Sequence, residues 1–236
     1  MSLLFSPTFG PRMEVAPFRL SGVVYSTLLN HRRSLASLGD AVSAPPYLAA
    51  PKSVVLAVKP RGALLLAGGD LVVDDESQEL EVGATLALVI GTTACAVTAA
   101  DALGHVAGLL VACDGTLPRT SHYRPQIRAI ARDASCVLGA EVVPRERAGD
   151  PDSLSMRVFV DGALVRTTST ADNVRSAARL IADISDFMTL KPGDVVLTGS
   201  APDAPRVRAG ATIAVEIDGV GRLETRVAVA QARPPR

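Results

Sequence analysis

The stretch Leu190-Lys191-Pro192-Gly193-Asp194-Val195-Val196-Leu197-Thr198-Gly199 decides how this chain folds. Its Pro-Gly pair marks the end of a helix, because proline cannot continue a helix and glycine commonly follows the last helical residue. That helix is predicted over residues 171–190, with an apolar stripe made of Val174, Ala177, Ala178, Ile181, Ile184 and Met188. Val195-Val196-Leu197 then predicts a short buried strand that ends in a Thr198-Gly199 turn.

Short β-rich runs lie on both sides of this stretch, at residues 53–58, 63–67, 85–90, 212–217 and 223–229. A second helix is predicted from Thr98, which has capping-box spacing with Asp101, and its apolar face consists of Leu103, Val106, Ala107 and Leu110. Many short strands with two main helices between them predict an α+β fold with mixed sheets. We expect an N-terminal arm over residues 1–20 and one domain over residues 21–232, with a long loop at 31–52.

Composition excludes several classes of function. Lys and Arg together number 24, as do Asp and Glu, so long-range attraction to nucleic acid is not expected. Aromatic residues make up 3% of the chain, too few for base-stacking platforms. The longest uncharged run, residues 82–100, contains glycine and threonine and is interpreted as a strand and a turn rather than a membrane span. Since the N-terminus does not resemble a secretory signal, we expect a cytoplasmic protein without nucleic-acid or membrane partners.

Generic chemical motifs carry little information in this sequence. Gly219-Val220-Gly221 lies between strand-like runs with no helix after it, which argues against a dinucleotide-binding loop. Ser121 and His122 are neighbours in sequence and are interpreted as a solvated loop pair, because adjacency does not make a catalytic triad. Glu79-Leu80-Glu81 is the one Glu-x-Glu pair, and its i, i+2 spacing puts both carboxylates on one face of a strand.

Several segments, taken in order, resemble the fumarylacetoacetate hydrolase family. They are Gly22-Val23-Val24-Tyr25, Leu29-Asn30, Pro45-Pro46, Val58-Lys59-Pro60, Leu86-Ala87-Leu88-Val89-Ile90-Gly91, Gly108 through Asp114, Asp133 with Cys136 and Gly139, and Leu190 through Gly199. The set covers about residues 20–230 with the expected order and gaps. This resemblance implies the β-rich roll of the family and a dimeric assembly.

Within the family, one branch looks most similar: Asn30-His31-Arg32, Gly83-Ala84-Thr85 and His122-Tyr123-Arg124-Pro125 resemble the N-terminal half of the bifunctional isomerase/decarboxylases of homoprotocatechuate (4-hydroxyphenylacetate) catabolism. The resemblance implies action on 2-hydroxyhepta-2,4-diene-1,7-dioate and 5-oxopent-3-ene-1,2,5-tricarboxylate, which makes a small dicarboxylate or keto acid the expected ligand. It also implies a homodimer, or a heteromer with a homologue that carries an intact Glu-x-Glu motif.

The metal position is where the chain departs from this family. The resemblance implies Mg²⁺ or Mn²⁺ held by a Glu-x-Glu pair and an Asp, and at those positions this chain has Gly83, Thr85 and Asp114. We therefore expect no metal and no other cofactor in this chain, because a hard cation needs several carboxylate ligands. Glu79 and Glu81 face the same side, but they start about 13 Å away along the strand, so an exposed acidic strand end is the favoured interpretation.

Two further family positions have lost their reactive groups. The resemblance places a general-base His at Ser34 and an oxyanion-holding Lys at Ile130. His31 lies three residues before Ser34, and it remains with Asp114 as a candidate catalytic proton carrier.

The resemblance also supplies candidate substrate-binding residues, which are Asn30, Lys59, Tyr123, Arg124, Thr198, Gly199 and Ser200. The cations among them could meet a carboxylate-rich ligand, or they could be solvated charge and surface ion pairs. Three functions stay open: a subunit of an isomerase/decarboxylase whose partner supplies the metal, a catalytically silent partner subunit, and a metal-independent tautomerase.

Overall fold

The computed structural model of the protein describes residues 13–15, 18–20, 22–119, 121–122 and 127–230. Its strands are β1 Met13–Val15, β2 Phe18–Leu20, β3 Val24–Leu28, β4 Val55–Lys59, β5 Leu64–Leu66, β6 Leu71–Val73, β7 Leu80–Ile90, β8 Val106–Thr116, β9 Cys136–Leu138, β10 Val143–Pro144, β11 Ser155–Val160, β12 Ala163–Ser169, β13 Val195–Leu197, β14 Arg206–Val207, β15 Thr212–Ile217 and β16 Gly221–Val229. The α-helices are α1 Arg32–Ala36, α2 Ile127–Ile130, α3 Arg145–Ala148 and α4 Ala177–Ser185. Single 3₁₀ turns cover Gly39–Ser43, Arg61–Ala63, Ala102–His105 and Thr170–Asp172.

Within the described ranges, the strands form three sheets. β1 and β2 pair with each other, and a five-stranded sheet has the order β12-β11-β15-β16-β6. The nine-stranded sheet follows the path β4-β3-β13-β7-β8-β9-β5, with β10 beside β8 and β14 beside β7. Most pairs are antiparallel, but β3–β13, β5–β9 and β6–β16 are parallel. This mixture, with few helices, confirms the predicted α+β class. The division into an arm and one domain stays a prediction.

β7 and β8 are the long central strands of the larger sheet, and both are buried on two faces. The even-numbered residues of β7, from Leu80 to Ile90, belong to the main core, while Ala87 and Val89 belong to a second apolar cluster. Because side chains alternate along a strand, residues 81, 83 and 85 point to the side of Ala87 rather than to the main core. Residues 81, 83 and 85 form the less apolar half of this second face, and a site can form there.

The larger sheet is rolled, and contacts with Asp114 of β8 show it. β4 and β8 are separated in the sheet by three strands, so in a flat sheet they would lie roughly 19 Å apart. The ammonium of Lys59 on β4 nevertheless lies 2.5 Å from Oδ1 of Asp114, and Ser26 on β3 donates to Oδ2 at 3.2 Å. The roll implied by the family resemblance is therefore present, and it encloses Asp114.

Residues 190–199 have largely the predicted structure. Gly193 has φ 91°, and Asp194 after it accepts hydrogen bonds from the backbone N–H of Lys191 and of Val23. A Cβ placed on Gly22 would lie 2.0 Å from the Asp194 carboxylate, so only glycine allows β3 to approach this turn. The carboxylate thereby ties the entry of β13 to the start of β3.

Three secondary-structure predictions need correction. The helix predicted from Thr98 is wrong: Thr98 does accept the capping hydrogen bond of Asp101 N–H, but one 3₁₀ turn follows and the chain then enters β8. Residues 31–52 are not a plain loop, because they contain α1 and a 3₁₀ turn. The helix predicted over 171–190 is reduced to α4, because Ser176 caps it late, its side chain accepting from Arg179 N–H, and Ser185 ends it early.

Among the helices in the described ranges, none is both long and apolar enough to span a bilayer.

Candidate functional site

A pocket of about 510 Å³ opens beside the polar ends of β7 and β8. Strand register sets Gly83 opposite Asp114, and both line the pocket together with Glu81 and Thr116. β3 contributes Ser26, and the turn after β13 contributes Ser200. Strands β3, β7 and β8 form one part of the wall, and the loops after β8 and β13 form another part, with Arg119, His122 and residues 200–204.

Asp114 is buried at 8% exposure and is committed to two partners. Lys59 forms an ion pair with Oδ1 at 2.5 Å, although this oxygen accepts no hydrogen bond from a described residue, and it donates a hydrogen bond to the carbonyl oxygen of Ile130, also at 2.5 Å. The side chain of Lys59 is 1% exposed and does not line the pocket. The interpretation of Lys59 as solvated charge is therefore wrong, since its charge lies behind the pocket wall and neutralises Asp114.

Gly83 and Thr85 present little to the pocket. A Cβ on Gly83 would lie 2.6 Å from Cβ and 2.7 Å from Oγ of Ser200, so Ser200 fills the space of a side chain at that position. The hydroxyl of Thr85 is buried and accepts a hydrogen bond from Gly199 N–H at 3.2 Å. Both positions thus serve the contact between β7 and the turn after β13.

Glu79 and Glu81 lie in an ion-pair cluster with the arginines of the β14 region. Glu81 accepts from Nε and Nη2 of Arg206 at 3.2 and 3.0 Å, and Glu79 accepts from Arg208 at 2.9 Å. These carboxylates form an acidic strand end, but Glu81 is closer to the site than expected, because it lines the same pocket as Gly83.

Arg119 and His122, just after β8, line the pocket and were missed as site residues in the sequence. Nη1 of Arg119 and Nδ1 of His122 are buried, and neither atom has a hydrogen-bond partner among the described residues. Burial lowers the pKa of Arg119, against the opposing charges of Asp114 and Glu81. Burial, and then the charge of Arg119, lowers the pKa of His122. His122 lies in a loop, as expected, but its ring Nδ1 is buried rather than solvated.

His31 lies outside the pocket walls. Its side chain is 1% exposed, its Nδ1 accepts from Arg33 N–H to cap α1, and its Nε2 lies 3.3 Å from the hydroxyl of Thr168. Burial lowers its pKa, with Asp172 opposing this effect. The structure therefore does not bring the two candidate proton carriers together.

The remaining candidate substrate-binding residues either hold the framework behind the pocket or line the pocket wall. Asn30 donates to Thr198 O at 2.8 Å and accepts from Arg175 N–H at 3.0 Å, so it ties three segments together behind the pocket. Thr198 and Gly199 (φ 100°) form that same turn without lining the pocket, whereas Ser200 lines it, as does Ser34. Tyr123 and Arg124 lie outside the described residues.

The described residues contain no group of three or more His, Cys, Asp or Glu side chains placed to hold a metal ion.

Comparison with known proteins identifies the family of this chain. The chain is 36% identical over 208 residues to the 4-hydroxyphenylacetate degradation bifunctional isomerase/decarboxylase of Salmonella dublin, an alignment that covers 88% of this chain and 47% of that protein. The chain thus spans about half the length of this and two similar bifunctional relatives from Escherichia coli.

Two solved structures have the same fold. The 5-carboxymethyl-2-hydroxymuconate delta-isomerase of Mycobacterium smegmatis matches with a TM-score of 0.75 and 26% identity, over 90% of this chain and 81% of that one. The fumarylpyruvate hydrolase of Pseudomonas aeruginosa, solved with Mn²⁺ and pyruvate, matches with a TM-score of 0.78 and 23% identity, over 97% of this chain and 100% of that one, which shows the fold alone. The model of the fumarylacetoacetate (FAA) hydrolase C-terminal family matches residues 23–228, and the chain therefore belongs to that family.

Proposed function

We propose that this chain is one subunit of an isomerase/decarboxylase of aromatic catabolism, and that its pocket binds a small enolisable dicarboxylate without holding a divalent metal of its own. The names of the similar isomerases and decarboxylases support the reaction class. The match to about half of the bifunctional relatives supports a subunit role. The observation that carries the proposal is the ion pair of Lys59 with Asp114.

The donor set of the pocket does not fit Mg²⁺ or Mn²⁺. A hard dication takes about six oxygen ligands and needs several negative charges close to it. Asp114 already has a cation at 2.5 Å, and Glu81 is held by the guanidinium of Arg206. Gly83 has no side chain, and the hydroxyl of Thr85 accepts a hydrogen bond from the backbone N–H of Gly199. A dication here would have to displace Lys59 from Asp114.

The missing charge supports the proposal that a partner carries out the metal-dependent chemistry. In the proposed assembly, a homologue with an intact Glu-x-Glu motif holds Mg²⁺ or Mn²⁺, and this chain contributes stability and a binding surface. The assembly is a heteromer of related subunits, or a homodimer that docks with the homologue. We also propose a cytoplasmic location, which the degradation enzymes among the relatives support.

A specific observation favours one alternative, a catalytically silent partner subunit. The same buried ion pair would serve that role, because a lysine that neutralises Asp114 keeps the fold stable without any reaction. The third function, a metal-independent tautomerase that uses Asp114 and His31, has less support because His31 caps α1 away from the pocket.

Activity assays with the purified chain separate these functions. The chain is incubated with Mg²⁺ and 2-hydroxyhepta-2,4-diene-1,7-dioate, alone and after mixing with a Glu-x-Glu homologue. The proposal predicts no turnover alone, and a rate with the mixture above that of the homologue by itself. A stable complex without any rate effect would indicate the silent subunit. Turnover by the chain alone that EDTA abolishes would contradict the proposal.

A further inference from the structure

We propose that Arg119 and His122 form a binding site for a carboxylate group of the ligand, at the end of the pocket where β8 leaves the sheet. This inference rests on the proposed function only in that both assign the ligand to this pocket. It concerns binding, and it needs no metal and no reaction.

Arg119 is the cation of the pocket wall that forms no ion pair among the described residues. Asp114 is neutralised by Lys59, and Glu81 by Arg206. Asp203, the remaining carboxylate of the wall, is exposed to solvent on the turn that follows Ser200. A ligand that enters this pocket therefore meets one guanidinium whose charge no ion pair with a described residue balances.

The guanidinium of Arg119 is also short of hydrogen bonds. Its Nη1 is shielded from water and has no acceptor among the described residues. Arginine remains protonated in proteins, so a buried donor without an acceptor is unfavourable until an acceptor arrives. A carboxylate fits best, because its two oxygens match the fork of the guanidinium and its charge balances that of the arginine.

His122 adds a second, neutral group to the same wall. Its backbone N–H donates to the hydroxyl of Tyr47 at 2.8 Å, which fixes the residue over the pocket. Its Nδ1 is buried without a partner in the described part of the chain, so this atom is free to exchange a hydrogen bond with the ligand. The lowered pKa keeps the ring neutral at pH 7, so it adds hydrogen bonding rather than a second charge.

The test is a calorimetric titration of the full chain with heptanedioate. This probe has two carboxylates but no keto or enol group, so it binds without reacting. We expect Arg119→Gln to weaken binding by about tenfold or more, Arg119→Lys to lie between that variant and the wild type, and His122→Ala to lose a few-fold. Arg226→Gln, which removes an exposed arginine from β16, is the matched control and should bind like the wild type.

Heptanoate has one carboxylate where heptanedioate has two, so comparing their affinities distinguishes this site from a general apolar pocket. Competition by inorganic phosphate distinguishes it from a general anion site. The inference is overturned if the wild type does not bind heptanedioate, if Arg119→Gln binds as tightly as the wild type, or if phosphate competes at equal concentration. Melting curves identify variants that fail to fold, in which case Arg119→Lys decides the result. Because the probe cannot react, failure of the proposed catalytic role would leave this measurement unchanged.

Discussion

The ammonium of Lys59 lies 2.5 Å from Oδ1 of Asp114, and the two side chains are 1% and 9% exposed. Lys59 comes from β4 and Asp114 from β8, so this ion pair joins strands that are far apart along the rolled sheet. The ammonium is the positive charge closest to the carboxylate, and it faces the pocket wall from behind. A pocket arranged in this way balances its own carboxylate and has no need of a metal ion to do so.

Removing one partner of this ion pair should be strongly destabilising. Lys59→Met leaves Asp114 buried without a counter-charge, and we expect the free energy of unfolding to fall by about 3–5 kcal/mol. The double variant Lys59→Met, Asp114→Leu should recover most of that loss, because no buried charge remains. Urea denaturation measures both.

The matched control for this experiment is an exposed ion pair. Arg208 and Glu79 are 62% and 34% exposed, so Arg208→Met should cost no more than about 1 kcal/mol. Equal losses in Arg208→Met and Lys59→Met would show that the buried pair has no special role in stability.

His31 should make folding sensitive to acid. Its pKa is lowered in the folded protein, so below the unfolded value of about 6.5 the unfolded state binds more protons and stability falls as the pH decreases. His31→Asn keeps an acceptor for Arg33 N–H at the start of α1 and removes the titrating ring. The loss in urea midpoint between pH 8 and pH 5 should therefore be smaller in the variant. His122 shifts in the same direction, so part of the loss remains, and an unchanged loss would exclude His31 as its source.

Restoring carboxylates to β7 should create a metal site only if space is made for them. Gly83→Glu with Thr85→Glu should destabilise the fold, because a Cβ at position 83 meets Ser200 at 2.6 Å. Adding Ser200→Gly removes that contact, and this triple variant should gain measurable Mn²⁺ affinity by calorimetry. The same triple variant with glutamines in place of the glutamates has the size without the charge. Equal Mn²⁺ binding by the two would show that carboxylate charge is not what the pocket lacks.

The sequence predicts those parts of the fold that depend on local chemistry. The Pro-Gly-Asp turn can be predicted because each residue acts on its near neighbours. The carboxylate of Asp194, for example, accepts a hydrogen bond from the backbone N–H of Lys191, three residues away. The residues around Thr98 mislead for the opposite reason. The capping bond to Asp101 is real, but residues 106–116 are buried on both faces of a sheet, and such an apolar run cannot be distinguished from a buried helix by periodicity alone.

The site depends on contacts between segments that are far apart in the sequence, and fewer of these contacts can be predicted. Gly83, Thr85 and Asp114 are found from the family resemblance, and the register of β7 with β8 brings Gly83 and Asp114 together. The partner of Asp114 comes from β4 through the roll of the sheet, which no local pattern encodes. Arg119 belongs to no motif, and His122 begins the His-Tyr-Arg-Pro run of the family resemblance, from which only Tyr123 and Arg124 are predicted as site residues.

The most direct test of the whole account is Mn²⁺ binding by the wild-type chain, followed by electron paramagnetic resonance of the free aqueous ion. Because Lys59 already balances Asp114 and β7 offers no further carboxylate at positions 83 and 85, we predict that the signal of free Mn²⁺ is not reduced by an equimolar amount of the protein. A stoichiometric loss of that signal, abolished by Asp114→Asn, would contradict the account.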